Sequence, residues 1–463
     1  MRGSIRRPKH LVAGVAVAVA GLVVTVAAGP ATAQPANKKT NVSANTSANS
    51  IADIGAGSAP LTDAQLAAMT PDQQARVLDP LRAVAEALGT AGRGGIADIY
   101  GNVLIDANDG LVKLYLTDTK QAPRAIAAAR AVNPKVDASR IRVLSAAATH
   151  NALDAASQRI VAMADAHRLP FPIGMVGPAP DASGVEVDVA DPAALSAATQ
   201  APAAPAPAAV GTLTAKLGVP LTFRPGQALA PKAWDATKWH DSAPFIGGDA
   251  ITGSGSGHGC TAGLPAVRLS DNHPVMVTAA HCFGVGAAVY TRAGTPGSYS
   301  NGLKGNYVGT VTDRDTAWDA EIIDGADNNA DESDTTGWKP MTSSAYSYNG
   351  DYVCHDGQRS YFMGHPTPCN IKVTNQDKYC GPTTGCPGLP YTARGVWGET
   401  VNGGWGSAGG DSGATIFAVE SGDVRQARGI LSDGDPADGA PGVFWTEATD
   451  ILNHWHLTLN SRT

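Results

Sequence analysis

Trp405 to Ala414 reads Trp-Gly-Ser-Ala-Gly-Gly-Asp-Ser-Gly-Ala, with Ser412 among glycines and directly after Asp411. A serine hydroxyl is a poor nucleophile at its free pKa and needs a base and a cluster of donors to react. Glycines let the backbone turn sharply and leave its N–H groups uncovered. The amides of Gly410 and Ser412 are therefore candidate donors to one developing oxyanion. Taken alone, the segment also reads as an ordinary Gly-rich turn. Two other segments supply partners. Thr278-Ala-Ala-His-Cys282 places His281 at the end of an apolar run, beside a cysteine. Trp318-Asp-Ala-Glu321 places Asp319 at the head of another, with Asp315 as a nearby competitor. An imidazole titrating near pH ~6.5 can take the serine proton and return it. An acid beside it fixes the tautomer and stabilises the imidazolium. Each residue has a bland reading by itself; the three types in the order His, Asp, Ser point to acyl transfer through a serine.

The elements around these residues are short. After Phe245 the apolar runs are Ala266–Leu269, Val275–Ala279, Ala288–Tyr290, Val308–Val311, Glu321–Ile323, Tyr352–Cys354, Ile371–Val373, Gly395–Trp397, Thr415–Ala418, Ala427–Leu431 and Gly442–Trp445. Gly, Asn, Asp and Ser separate them, which predicts an antiparallel barrel or sandwich. A helix from Glu447 to about Trp455 closes the chain. The segment from Asp324 to Asp334 is strongly acidic and reads as a solvated loop; calcium is the rival, but Asn329 stands where an EF-hand loop has glycine.

Upstream the texture differs. Residues 34–60 are rich in Asn, Ser, Thr and Ala without periodicity and read as disordered. Thr62 to Gln65 and Thr70 to Gln73 look like capping boxes. Val77, Leu81, Val84 and Leu88 share a helical face, and Pro80 predicts a kink or break there. A hairpin through Asn108-Asp109-Gly110, a helix over Ala122–Val132, a strand over Ile141–Leu144, a helix from Thr149 to about Arg168 and a strand over Val185–Val189 follow. That order predicts a small α+β domain over residues 61–190, with antiparallel strands and helices on one face. His150 and His167 read as surface residues. Residues 191–243 are Pro- and Ala-rich, an extended linker with a place for processing.

The first 33 residues have the make-up of an export signal: Arg2, Arg6, Arg7 and Lys9, an apolar run from Leu11 to Ala28, then Ala31-Thr32-Ala33. A membrane anchor is the alternative; cleavage would leave no membrane contact. With 34 Lys plus Arg against 41 Asp plus Glu, the formal charge of −7 argues against a general nucleic-acid binder. All six cysteines lie between Cys260 and Cys386, and an oxidising compartment predicts disulfides. A zinc site would need paired Cys-x-x-Cys ligands that the sequence lacks.

The constellation of Thr278 to Cys282, Asp319 and Gly410 to Gly413 resembles the chymotrypsin-like serine proteases. Within them it looks most like the secreted bacterial branch of streptogrisins and alpha-lytic protease, with Ile246 to Ile251 resembling the start of the mature enzymes. The resemblance implies a double antiparallel β-barrel over residues 244–463 with a C-terminal helix, preceded by a pro-domain that assists folding and blocks the site. It implies His281 as base and acid, Asp319 as its orienter and Ser412 as nucleophile. Gly410 and Ser412 would form the oxyanion hole. Ser432 to Gly434 would be the strand that pairs with substrate, and Gly406 the pocket floor. It implies the pairs Cys260–Cys282 and Cys354–Cys369; Cys380–Cys386 remains as a small local loop. Gly406 in place of an acid implies an apolar or aromatic P1 residue. For Asp411 the candidate partners are His355, Arg359 or a freed amine at Ile246. The expectation is a secreted, extracellular, monomeric endopeptidase acting on proteins or peptides, without metal or cofactor. Two rivals stand beside it. An α/β-hydrolase esterase would need Ser, acid, His order and a glycine where Ala414 stands. A catalytically inactive binding or inhibitory module would keep the shape without the reaction.

Overall fold

A computed structural model describes residues 60–166, 168–169, 173–189, 217–225, 238, 241–253, 259–293, 304–325, 327–334, 337–384, 386 and 389–461. The export signal, the body of the 34–60 segment, most of the linker and His167 lie outside them.

Helices α1 (Asp63–Ala67) and α2 (Pro71–Arg93) both start on capping boxes, Thr62 with Gln65 and Thr70 with Gln73. Helix α2 runs unbroken through Pro80, contrary to the predicted break. The proline is exposed, while Val77, Leu78, Leu81 and Val84 on the other side are buried, so burial of that face holds the helix through the missing N–H. Strands β1 (Tyr100–Asp106) and β2 (Leu111–Leu116) form the expected hairpin. Helix α3 (Ala122–Val132) carries the chain back, so β3 (Ile141–Ser145) pairs parallel with β2. The antiparallel expectation is corrected there, because a crossover helix returns the chain in the same direction.

After α4 (His150–Asp165), strands β4 (Ile173–Pro178), β5 (Val185–Val189) and β6 (Leu221–Pro225) do not join that sheet. They extend a sheet of the C-terminal region instead. The sequence reading missed β4 and β6.

The C-terminal region begins with β7 (Phe245–Gly247), β8 (Ala250–Gly253), β9 (Gly259–Thr261), β10 (Pro265–Arg268), β11 (Pro274–Ala279) and β12 (Ala288–Arg292). It continues with β13 (Lys304–Asp315), β14 (Ala320–Gly325), β15 (Asn328–Asp334), β16 (Gly337–Ser344) and β17 (Tyr352–His355). Helix α5 (Gln358–Phe362) precedes β18 (Ile371–Cys380), β19 (Ala393–Thr400), β20 (Thr415–Glu420), β21 (Val424–Gly434) and β22 (Gly442–Glu447). Helix α6 (Ala448–His454) and β23 (Leu457–Leu459) end it.

One sheet of eight strands runs β23-β10-β11-β14-β13-β12-β8-β9. In the other, β17, β18, β19, β22, β21 and β20 pair antiparallel in a closed ring. A closed ring leaves no free edge among those six strands. Tyr379 of β18 also pairs with Val176 of β4.

The acidic stretch is not a solvated loop. Asn328–Asp334 is β15; Asn328 and Ala330 are buried, and Glu332 is fully buried against the Arg425 guanidinium. Charge pairing across strands makes an acidic strand tolerable inside. Cys260–Cys282, Cys354–Cys369 and Cys380–Cys386 form disulfides. All described residues belong to one compact unit. Tyr348 and Tyr352 share a core with α2 and β1, and Tyr379 shares one with α4, β4 and β5. His150 is buried beside Asp377 rather than on the surface.

Candidate active site

Strand register brings the histidine and the acid together. In the antiparallel pair β11–β14, Ala279 faces Ala320, so His281 follows one strand's end and Asp319 precedes the other's start. Asp319 sits at φ 40°, a left-handed conformation that aspartate tolerates better than most residues. Its carboxylate is fully buried and takes four donors. Oδ1 accepts from the His281 backbone N–H at 3.0 Å and the Tyr391 hydroxyl at 2.6 Å. Oδ2 accepts from His281 Nδ1 at 2.9 Å and Ser432 Oγ at 2.5 Å. Burial pushes this carboxyl up, but the imidazole and the donated hydrogen bonds outweigh it and hold Asp319 below its ordinary value. For His281, burial opposes the charge, and the Asp319 carboxylate, with Asp433 behind it, lifts the pKa above its ordinary value. Nδ1–H then faces Asp319 and leaves Nε2 as the acceptor.

Ser412 lies in the turn before β20. Its carbonyl accepts from Thr261 N–H at 2.8 Å and lies 3.9 Å from Cys282 Sγ, the residue after His281. Gly413 N–H donates to Leu431 O, so β21 holds the serine turn and, through Ser432, the acid. Gly413 stands at φ 89°, and a Cβ there would meet Thr278 Oγ1 at 2.1 Å. Only glycine lets the turn approach the histidine strand so closely. Gly410 also has positive φ, 113°, and its carbonyl is held by Thr261 Oγ1 and Gln358 Nε2.

The expected pocket floor is walled by backbone. A Cβ on Gly406 would meet Ala440 O at 2.0 Å, and Gly439 N–H donates to Ser407 O at 2.8 Å. His355 Nδ1 accepts from Gly357 N–H, so Nε2–H donates to Gly406 O at 2.7 Å. Asp435 accepts from Gly442 N–H and Asp438 from Gly409 N–H. Gly434, the end of β21, pairs with Val443 of β22.

Asp411 is stabilised by neutral donors. Oδ1 accepts from the Arg359 and Ser360 backbone N–H groups at 2.8 and 2.9 Å. Oδ2 accepts from Ser360 Oγ at 2.5 Å and Ala408 N–H at 2.8 Å. A Cβ on Gly357 would meet Asp411 Cγ at 2.3 Å, so glycine opens the start of α5 to the carboxylate. Trp405 Nε1 donates to Ser360 Oγ at 2.7 Å, and its ring stacks on His365. Of the expected partners, Arg359 reaches Asp411 through its backbone amide, and His355, whose ring bonds Gly357 and Gly406, feels the Asp411 charge. In the uncut chain Ile246 N–H donates to Asp241. Among the described residues, no group of three or more His, Cys, Asp and Glu is arranged to hold a metal ion.

Glu321, two residues past Asp319 and fully buried, accepts from Gly284 N–H at 3.1 Å. Burial pushes its carboxyl from an ordinary 4.5 to about 8, with the Arg314 charge opposing. The folded state therefore holds a proton that the unfolded state releases above pH 4.5. Stability from this group falls as pH rises to about 8. Glu321→Gln should flatten that part of the profile, so urea unfolding at pH 5 and at pH 8 should differ less in the variant. An equal fall in both proteins would refute the shift.

No protein-family model and no curated protein matches the chain. Solved structures do. Nocardiopsis protease is 23% identical with a TM-score of 0.34, over 47% of this chain and 98% of that one. A Cellulomonas bogoriensis chymotrypsin is 19% identical with a TM-score of 0.34, over 47% and 98%. Thermobifida fusca protease A is 18% identical with a TM-score of 0.34, over 47% and 98%. At these identities and scores the likeness carries no argument about chemistry, which rests on this chain's own residues.

Proposed function

We propose that the chain is a serine endopeptidase that cuts peptide bonds through His281, Asp319 and Ser412. One observation carries the reading: a buried carboxylate accepts both His281 N–H and His281 Nδ1–H, beside a glycine turn that seats Ser412. Ser412 Oγ attacks the scissile carbonyl as His281 Nε2 takes its proton. The amides of Gly410 and Ser412 hold the oxyanion, and His281 protonates the leaving amine. Water then hydrolyses the acyl-enzyme by the same proton path. Asp319 stays ionised throughout.

Residues 244–463 form the protease domain in this reading, and residues 61–190 a pro-region that assists folding and restrains the site. The pairing of β18 with β4 supports that role. Secretion under the first 33 residues fits the three disulfides. Ser432 and Gly434 border the substrate strand, and the uncharged Gly406 favours an apolar or aromatic P1 residue. On chromogenic peptides we expect Phe or Leu to outpace Arg at P1; the reverse order would overturn this preference.

The deciding experiment is labelling of the secreted protein by a fluorophosphonate, with Ser412→Ala as control. Labelling lost in the variant supports the enzyme; an unlabelled, folded wild type would leave the inactive-module reading standing. A second set of variants tests the oxyanion turn. Arg359→Ala should keep kcat/KM within about twofold, because its amide remains. Ser360→Ala removes a charge-assisted hydrogen bond of roughly 1.5–3 kcal/mol, so kcat should fall at least about tenfold. Loss in Arg359→Ala with none in Ser360→Ala would reverse the assignment.

A further inference from the structure

Three donors to Asp319 come from His281 and Ser432; the fourth comes from a segment with no place in the sequence motif. Tyr391 lies just before β19 and places its hydroxyl 2.6 Å from Asp319 Oδ1. The segment that carries it is fixed on both sides. Leu389 is buried, and its N–H donates to Cys386 O, next to the Cys380–Cys386 bridge. Arg394 N–H donates to Ala317 O at 2.9 Å, tying β19 to the very turn that presents Asp319. Arg314 lies over the Tyr391 ring, 5.3 Å from its centroid, so the phenol is clamped between a guanidinium and the carboxylate.

We propose that Tyr391 is a positioning residue of the triad, holding Asp319 Oδ1 through its hydroxyl. The inference rests on the triad reading above. A neutral donor on Oδ1 does two things. It fixes the plane of the carboxylate, so that Oδ2 faces His281 Nδ1–H. It also draws charge away from Oδ2, so that the imidazolium formed during attack is stabilised without being locked in the charged state. The proton passes from Ser412 to His281 and on to the leaving amine, and Tyr391 keeps its own. Burial and the Asp319 charge both push the phenol pKa up, which keeps it a donor over the working range.

Tyr391 also lines a cavity with Gln158, Val161 and Asp165 of α4 and with Tyr379. Tyr391→Phe keeps the ring and removes only the donor. The charged and titratable groups around the pair are Asp433, Glu321 and Arg314, and all three are retained in the variant. With the donor gone, more negative charge faces the imidazole and its pKa rises. We expect the acidic limb of kcat/KM to move to higher pH, with kcat about tenfold lower and KM within about twofold. A purely structural role would lower the melting temperature and leave the limb in place.

The same shift can be read without activity. The His281 ring is followed by NMR titration, assigned by the loss of its signal in His281→Gln, and its pKa should be higher in Tyr391→Phe than in the wild type. An unchanged His281 pKa in a folded variant overturns the proposal. If the wild type neither hydrolyses peptides nor takes the fluorophosphonate, the protease reading fails, while the NMR comparison still decides what Tyr391 does to the His281–Asp319 pair.

Discussion

If Asp319 orients His281 in the proposed triad, Asp319→Asn should lower kcat at neutral pH by about 10⁴-fold, the size of loss found when the acid of a serine-protease triad becomes an amide. The four donors around this carboxylate explain why so small a change is so costly. Oδ1 and Oδ2 act only as acceptors, from His281 N–H and Nδ1–H, Ser432 Oγ and Tyr391. An amide has one acceptor and one donor group, so its NH₂ must confront two of those donors. If it turns toward His281, the imidazole does best to present a bare Nδ1 and carry its proton on Nε2. Ser412 then meets a donor where it needs an acceptor. The fold should survive, since the side chain keeps its size. The check is single-turnover acylation by an activated ester, with circular dichroism as the control for folding. A loss under tenfold would mean that Asp319 does not set the tautomer and that the His281 contact is incidental.

Legibility of the sequence follows how far apart in the chain the deciding partners lie. The short strands around the site could be read because their patterns are local: Pro274–Ala279 and Ala320–Gly325 contain the expected apolar runs, and their ends place His281 and Asp319. What depended on distant partners was misread. Glu332 looks solvated until Arg425, 93 residues later, neutralises it in the interior. His150 looks like a surface residue until Asp377 and the N-terminal core enclose it. Its pKa is lowered by burial, against the pull of the Asp377 charge. A buried Asp411 points the reader to charged side chains, yet its hydrogen bonds come from backbone amides and a serine hydroxyl, which carry no sequence signature. Tyr391 escaped for the same reason, being 72 residues from Asp319 in an unpatterned Pro-rich segment.

Arg82→Ala should destabilise the chain by roughly 3 kcal/mol, the lower end of the cost of breaking a buried ion pair. Arg82 leaves α2 and enters the C-terminal region almost completely buried. Nε contacts Asp351 Oδ1 at 2.9 Å, while Nη1 and Nη2 donate to Val419 O and Tyr352 O, each at 2.9 Å. Removing the side chain takes a donor from each of two carbonyl groups and leaves a cavity. The cost stays at the low end because Arg428 Nη2, 3.1 Å from Asp351 Oδ2, still balances that carboxylate. A double-mutant cycle with Asp351→Asn separates the ion pair from the carbonyl contacts. Urea unfolding of the full chain also shows how the two regions cohere. If they unfold together, one transition moves to lower urea with an unchanged slope; if separately, a first transition moves and a second stays. A shift below about 1 kcal/mol would mean that packing of α2, and not Arg82, keeps the two regions together.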